Sequence, residues 1–139
     1  MSISTGTYII RNVFSSNPLA LLDPNDGSSV IGTAENTGRA TYWNVVRLGN
    51  GKFTIENVEN ASYANAGSRA AVGATVVGRG SSQQVIIVET RKRDVFTLSP
   101  ADRTLYFWGL EDGEEGTPVT LATTATDSHN HWHFERVRN

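Results

Sequence analysis

The feature that most constrains this chain is a threefold recurrence of short sequence markers. Residues 6–13 read Gly-Thr-Tyr-Ile-Ile-Arg-Asn-Val and residues 51–58 read Gly-Lys-Phe-Thr-Ile-Glu-Asn-Val. A looser third copy, Asp-Val-Phe-Thr-Leu-Ser-Pro-Ala, occupies 94–101. The aromatics Tyr8, Phe53 and Phe96 align the copies at a spacing of about 45 residues. A second marker, Gly-x-x-Val, falls at Gly27–Val30, Gly73–Val76 and Gly116–Val119, and a third, a bulky pair two residues apart, at Trp43/Val45, Ile86/Val88 and Trp132/Phe134. Three markers in one order define a repeat architecture, whose units bury their apolar faces only against one another.

The local pattern of each unit is that of strands. Tyr8–Ile10 and Phe53–Ile55 alternate with polar partners at the period of two that half-buried strands require. Gly, Asn, Asp, Pro and Ser clusters at 15–18, 23–29, 49–51, 65–69, 99–102 and 111–118 mark turns, and no stretch carries a useful helical stripe. Four short strands in each of three units predict an all-β chain of twelve strands, closed so that no sheet edge is left bare: a β-trefoil. One domain over 1–139 is expected, with repeats at about 3–49, 50–93 and 94–138.

Composition narrows the function classes. The net charge of −2 offers no electrostatic attraction to nucleic acid or anionic membranes. With no cysteine, a disulfide framework, a thiolate zinc site and a cysteine nucleophile are all excluded. No apolar run reaches membrane-spanning length. The start, Met-Ser-Ile-Ser-Thr-Gly, lacks the charged and apolar segments of a secretory signal, so a cytoplasmic protein is expected. No nucleophile, base and orienting acid can be picked out, which favours binding over catalysis and implies no cofactor.

The runs at 6–13, Leu-Leu-Asp-Pro-Asn-Asp-Gly-Ser-Ser-Val at 21–30, and Gly-Leu-Glu-Asp-Gly-Glu-Glu-Gly-Thr-Pro-Val at 109–119 resemble mushroom ricin-B-type β-trefoils over about residues 3–137. In fungi that scaffold serves both lectins and protease inhibitors, so the resemblance implies glycans or a protease as partner, with the chain a monomer or homodimer. The family's lectins carry Gln-x-Trp at the fourth strand of each repeat; here the positions are read as Thr41-Tyr42-Trp43, Gln84-Val85-Ile86 and Asn130-His131-Trp132. An acid at the end of the second strand is matched by Asp23 and by Glu111 or Asp112, whereas Arg69 lies near that place in the second repeat. Thr33, Arg79 and Ala122 stand where a sugar-stacking aromatic is expected.

As a lectin, the chain is expected to use Asp23, Asp26 and Asn36 in the first repeat, then Trp108 and Asp112 in the third. Trp43 and Trp132 are expected in the core, while one aromatic of Tyr106-Phe107-Trp108 must face outward because neighbours on a strand alternate. Asp23 and Asp26 also suit plain turn chemistry. As an inhibitor, the chain would present Arg69, with its small neighbours, or the Arg91-Lys92-Arg93 turn to a trypsin-like pocket, and Asn60 to an asparagine-specific protease. His129, His131 and His133 would share one strand face, a spacing compatible with a metal or with plain solvent exposure; no metal site is assigned.

Overall fold

The computed structural model describes residues 3–34, 38–68 and 70–138. Its strands among these residues are β1 (Gly6–Asn12), β2 (Leu19–Ala20), β3 (Ile31–Gly32), β4 (Trp43–Arg47), β5 (Phe53–Asn57) and β6 (Tyr63–Asn65). They continue as β7 (Val77–Arg79), β8 (Val85–Glu89), β9 (Phe96–Pro100), β10 (Phe107–Gly109), β11 (Thr120–Ala122) and β12 (Trp132–Arg136). Among the described residues helix is confined to short 3-10 turns at Gly38–Thr41 and Ser128–Asn130. No helix among the described residues is long and apolar enough to cross a membrane.

Six strands close a barrel: β1 pairs with β4, β4 with β5, β5 with β8, β8 with β9, β9 with β12, and β12 with β1, all antiparallel. The remaining six form three hairpins, β2–β3, β6–β7 and β10–β11. Alternation drives the closure. Tyr8 and Ile10, Phe53 and Ile55, and Phe96 and Leu98 all join one buried cluster, so every second residue of β1, β5 and β9 supplies the barrel interior.

The hairpins explain the Gly-x-x-Val marker. Val30 N donates to Val76 O, Val76 N to Val119 O and Val119 N to Val30 O at 2.8–2.9 Å, so the three fully buried valines form a closed ring of main-chain hydrogen bonds. A second ring, two residues on, runs from Gly32 to Thr117, Gly78 to Ser28 and Leu121 to Ala74. The marker glycines close a third: Gly27, Gly73 and Gly116 donate to Gly78, Leu121 and Gly32, each with φ of +85° to +88°. A side chain in that left-handed conformation is strained, hence the recurrent glycine.

Two expectations are corrected by the register. Tyr8 lies opposite Trp43 and Phe96 opposite Trp132, but Phe53 lies opposite Val85. The counterpart of the two tryptophans is therefore Val85, fully buried, and not Ile86, which faces the outer side of the barrel. Trp108 is the second correction. It was expected as a surface stacking residue, yet it is 1% exposed in the core cluster, opposite Leu121 on β11. The outward aromatic of the trio is not Trp108: Tyr106 and Phe107 are both half-buried, and Phe107 borders a surface groove.

Candidate functional site

The acid-bearing hairpin loops repeat one construction. Asp23 Oδ1 accepts from the Ser28 hydroxyl and, at 2.9 Å, from Asn25 N. Asp112 Oδ1 likewise accepts from Thr117 Oγ1 at 2.6 Å and Glu114 N at 2.9 Å. Both depend on an acid four residues before the marker glycine and a hydroxyl one residue after it. In each loop the hydroxyl, then the amide, holds the carboxyl below its ordinary range. Charge and orientation are thereby fixed through one oxygen, while Oδ2 of each aspartate has no partner among the described residues. The second hairpin breaks the pattern: Ala74 replaces the hydroxyl and the acid is absent.

The rims differ among the three hairpins. Thr33, at the first stacking position, is buried and donates through Oγ1 to Glu115 Oε1 at 2.9 Å, while Ala34 N reaches Glu115 Oε2 at 2.6 Å. Arg79, at the second, forms an ion pair with Asp26 at 2.7 Å. Asp26 is thus engaged with the neighbouring hairpin. Ala122, at the third, faces no such clamp. The residue corresponding to Asp26 and Glu115 is there Val72, 58% exposed, and both Val72 and Ala122 line a cavity of about 490 Å³.

That cavity opens between the third hairpin and the Ser128–Asn130 turn. Gly109, Leu110, Leu121 and Ala122 provide apolar surface; Glu111, Asp127, His129 and Asn130 provide polar groups. Asp127 caps the turn, accepting from His129 N at 2.9 Å and facing His129 Nδ1 at 2.7 Å, both through Oδ1. These contacts, the amide first, keep it ionised below the ordinary carboxylate range. Phe14 stacks on the other side of His129, with centroids 3.8 Å apart. Asn130 is buried, its Nδ2 donating to Thr124 O at 2.9 Å. Asp127 and Val72 were missed from the sequence, and His129 was singled out there as part of the histidine run rather than as a sugar contact; the cap pattern Asp127-Ser128 was the readable local signal.

The other expected residues disperse. Asn36 and Arg69 lie outside the described residues. Asn60 turns inward, its Nδ2 donating to Leu21 O at 2.8 Å. Arg91 and Lys92 are exposed on the β8–β9 turn, which is braced by Thr90 Oγ1 accepting from Lys92 N at 3.1 Å. The histidines do not share a strand face: His129 is in the 3-10 turn, His131 Nε2 meets Ala125 O at 2.7 Å, and His133 Nδ1 meets Asp94 O at 3.0 Å. Among the described residues no group of three His, Cys, Asp or Glu side chains could hold a metal. The glutamine of the second repeat was misplaced by one. Gln83, not Gln84, stands two residues before the core position, accepting from Ala66 N at 2.8 Å and donating to Gly67 O at 3.0 Å.

The Rhizoctonia solani agglutinin superposes with a TM-score of 0.91 at 24% identity, over 99% of each chain. The Macrolepiota procera ricin B-like lectin, solved in complex with lactose, gives 0.87 at 23%, again over 99% of each. The fold is the β-trefoil of these two lectins. A proteinase inhibitor from Coprinopsis cinerea shares this trefoil at a TM-score of 0.76 and 17% identity, over 98% of this chain and all of its own. No protein-family model and no curated protein matches the sequence.

Proposed function

We propose that this trefoil, one domain of three repeats, is a non-enzymatic carbohydrate-binding protein with its principal site at the third hairpin. The observation that carries this reading is the Asp112 loop, whose Glu111 lines the 490 Å³ cavity, with the Asp112 carboxylate locked through one oxygen and the other without a partner among the described residues. Neutral sugars are recognised by hydrogen bonds to hydroxyls together with contact along an apolar face, and ionised acceptors make the stronger bonds. Asp112 and Asp127 would accept from sugar hydroxyls, His129 would lie beside them, and Val72 with Ala122 would offer the apolar contact. The Asp23 loop is the second site. There Thr33 is buried under Glu115 and Asp26 is drawn towards Arg79, which leaves less room and fewer free acceptors. Trp108 takes no direct part.

Lactose and a glycan panel test this reading. Asp112→Asn keeps the shape of the loop and the bonds to its Oδ1 position but removes the charge. It should weaken glycan binding by about tenfold or more, equivalent to at least 1.4 kcal/mol, with little change in melting temperature. Full binding by both Asp112→Asn and Asp23→Asn would sink it.

The braced, exposed Arg91-Lys92-Arg93 turn favours one second reading, a protease inhibitor. A preorganised loop loses little entropy on binding, and a basic side chain suits a pocket with an acid at its base. Trypsin assayed beside the glycan titration separates the two.

A further inference from the structure

Away from the hairpins, a groove of about 550 Å³ runs along the outer side of β8 and β9. Its origin is visible by comparing three pseudo-equivalent strand pairs. On β4–β5 the outward residues are Asn44 opposite Glu56 and Val46 opposite Thr54. On β12–β1 they are His133 opposite Arg11 and Glu135 opposite Ile9, with Arg11 and Glu135 ion-paired at 3.0 Å. On β8–β9 they are Ile86 opposite Ser99 and Val88 opposite Thr97. This is the one face of the three without an ionisable group, although it meets the same solvent; Val88 is 52% exposed. Phe107 closes one side and the segment carrying His131 the other, pinned by the His131–Ala125 contact. The enclosed size falls within the roughly 300–1,000 Å³ of small-molecule pockets.

Charge selects the occupant. Arg91 and Lys92 line one end of the groove and make no ion pair with any described residue. Glu89 also lines that end, but its Oε2 accepts Asp94 N at 2.8 Å, turning the carboxylate towards the turn backbone. The groove therefore offers a long apolar wall with cationic side chains at one end.

We propose that this groove binds a small dissolved anionic amphiphile, with its hydrocarbon body along Ile86, Val88 and Phe107 and its acid group at Arg91 and Lys92. The site is separate from the sugar site and does not depend on it.

Decanoate, titrated calorimetrically and followed by amide NMR shifts, is the probe, with decanol as its uncharged counterpart. Saturable one-to-one binding is expected, with shifts centred on 86–91, 97–99, 107 and 131. Val88→Glu, at an exposed position that leaves folding intact, should weaken both compounds about tenfold or more. Arg91→Glu/Lys92→Glu should weaken decanoate several-fold and leave decanol unchanged, and the difference should shrink at high salt. Asp112→Asn should bind decanoate as the parent does. Absence of saturable binding, shifts centred elsewhere, indifference to Val88→Glu, or equal losses for both compounds in the charge-reversed variant would each overturn the assignment. So would concentration-dependent dimerisation that Val88→Glu abolishes, since a second copy would then be the occupant.

Discussion

Three tryptophans occupy the interior, but their indole N–H groups fare differently. Trp43 Nε1 donates to Leu19 O at 3.0 Å and Trp132 Nε1 to Trp108 O at 2.9 Å, each tying a barrel strand to a hairpin. Trp108 Nε1 is buried with no partner among the described residues, which costs about 1–3 kcal/mol. Replacing Trp108 by Phe removes that unpaired donor along with some packing volume, so a change within about 1 kcal/mol is expected. Trp132→Phe instead orphans the carbonyl of Trp108 and should cost about 2–4 kcal/mol. Urea unfolding of the two variants checks the contrast, and equal losses would show that volume alone decides. Sequence alone could not make this distinction. Alternation along Tyr106-Phe107-Trp108 requires neighbouring rings to point opposite ways, but only the surrounding hairpin decides which ring is inside.

At the scale of elements, the hairpin loops were the most legible part of the chain. Asp, Gly and hydroxyl residues at fixed offsets are demanded by local geometry, and those offsets are visible in one sequence. What could not be read was the rim, because Glu115–Thr33 and Asp26–Arg79 join hairpins distant in the chain. The core register in the second repeat slipped by one because one connection is short. The stretch from Gly78 to Val85 is four residues shorter than Gly32–Trp43 or Leu121–Trp132, so even spacing pointed to Ile86 and Gln84 in place of Val85 and Gln83. The loops also define a pH response. Folded-state depression of the Asp23 and Asp112 carboxyls means that their contribution is present above the unfolded value of about 3.9 and is lost as pH falls through the lower folded value. Glycan binding through Asp112 should therefore be flat from neutral pH down to about 5 and should fall only below about 4. Titrating lactose across this range tests it; a loss already complete above pH 5 would overturn it.

Across the whole molecule, threefold order is kept by exchanging sizes between hairpins. A side chain at Gly32 would bring its Cβ within 2.7 Å of Leu110 Cδ1, and one at Gly78 within 2.7 Å of Leu21 Cδ2. Gly32, Gly78 and Leu121 hold the same place in the second hydrogen-bond ring. Leu21, Ala66 and Leu110 are equivalent to one another, each two residues after the strand position (Leu19, Ala64, Trp108) that pairs with a member of that ring. The threefold relation therefore sets Ala66 against Leu121. Two pairs are thus large against nothing, and the remaining pair is inverted, Ala66 with Leu121. Backbone hydrogen bonds fix the spacing, so what each pair must conserve is its summed volume rather than the identity of either member. Gly32→Leu alone should overpack the hairpin junction and cost about 1–3 kcal/mol or more, and Leu110→Ala alone should leave a cavity costing about 2–5 kcal/mol. Combined, they recreate the inverted arrangement of Ala66 and Leu121. The double variant should then be more stable than the two single losses predict by about 1–3 kcal/mol. Chemical unfolding of all four proteins completes the cycle. Additivity to within about 0.5 kcal/mol would mean that the pair does not exchange volume across the axis, and that the pseudo-symmetry rests on the rings of main-chain hydrogen bonds alone.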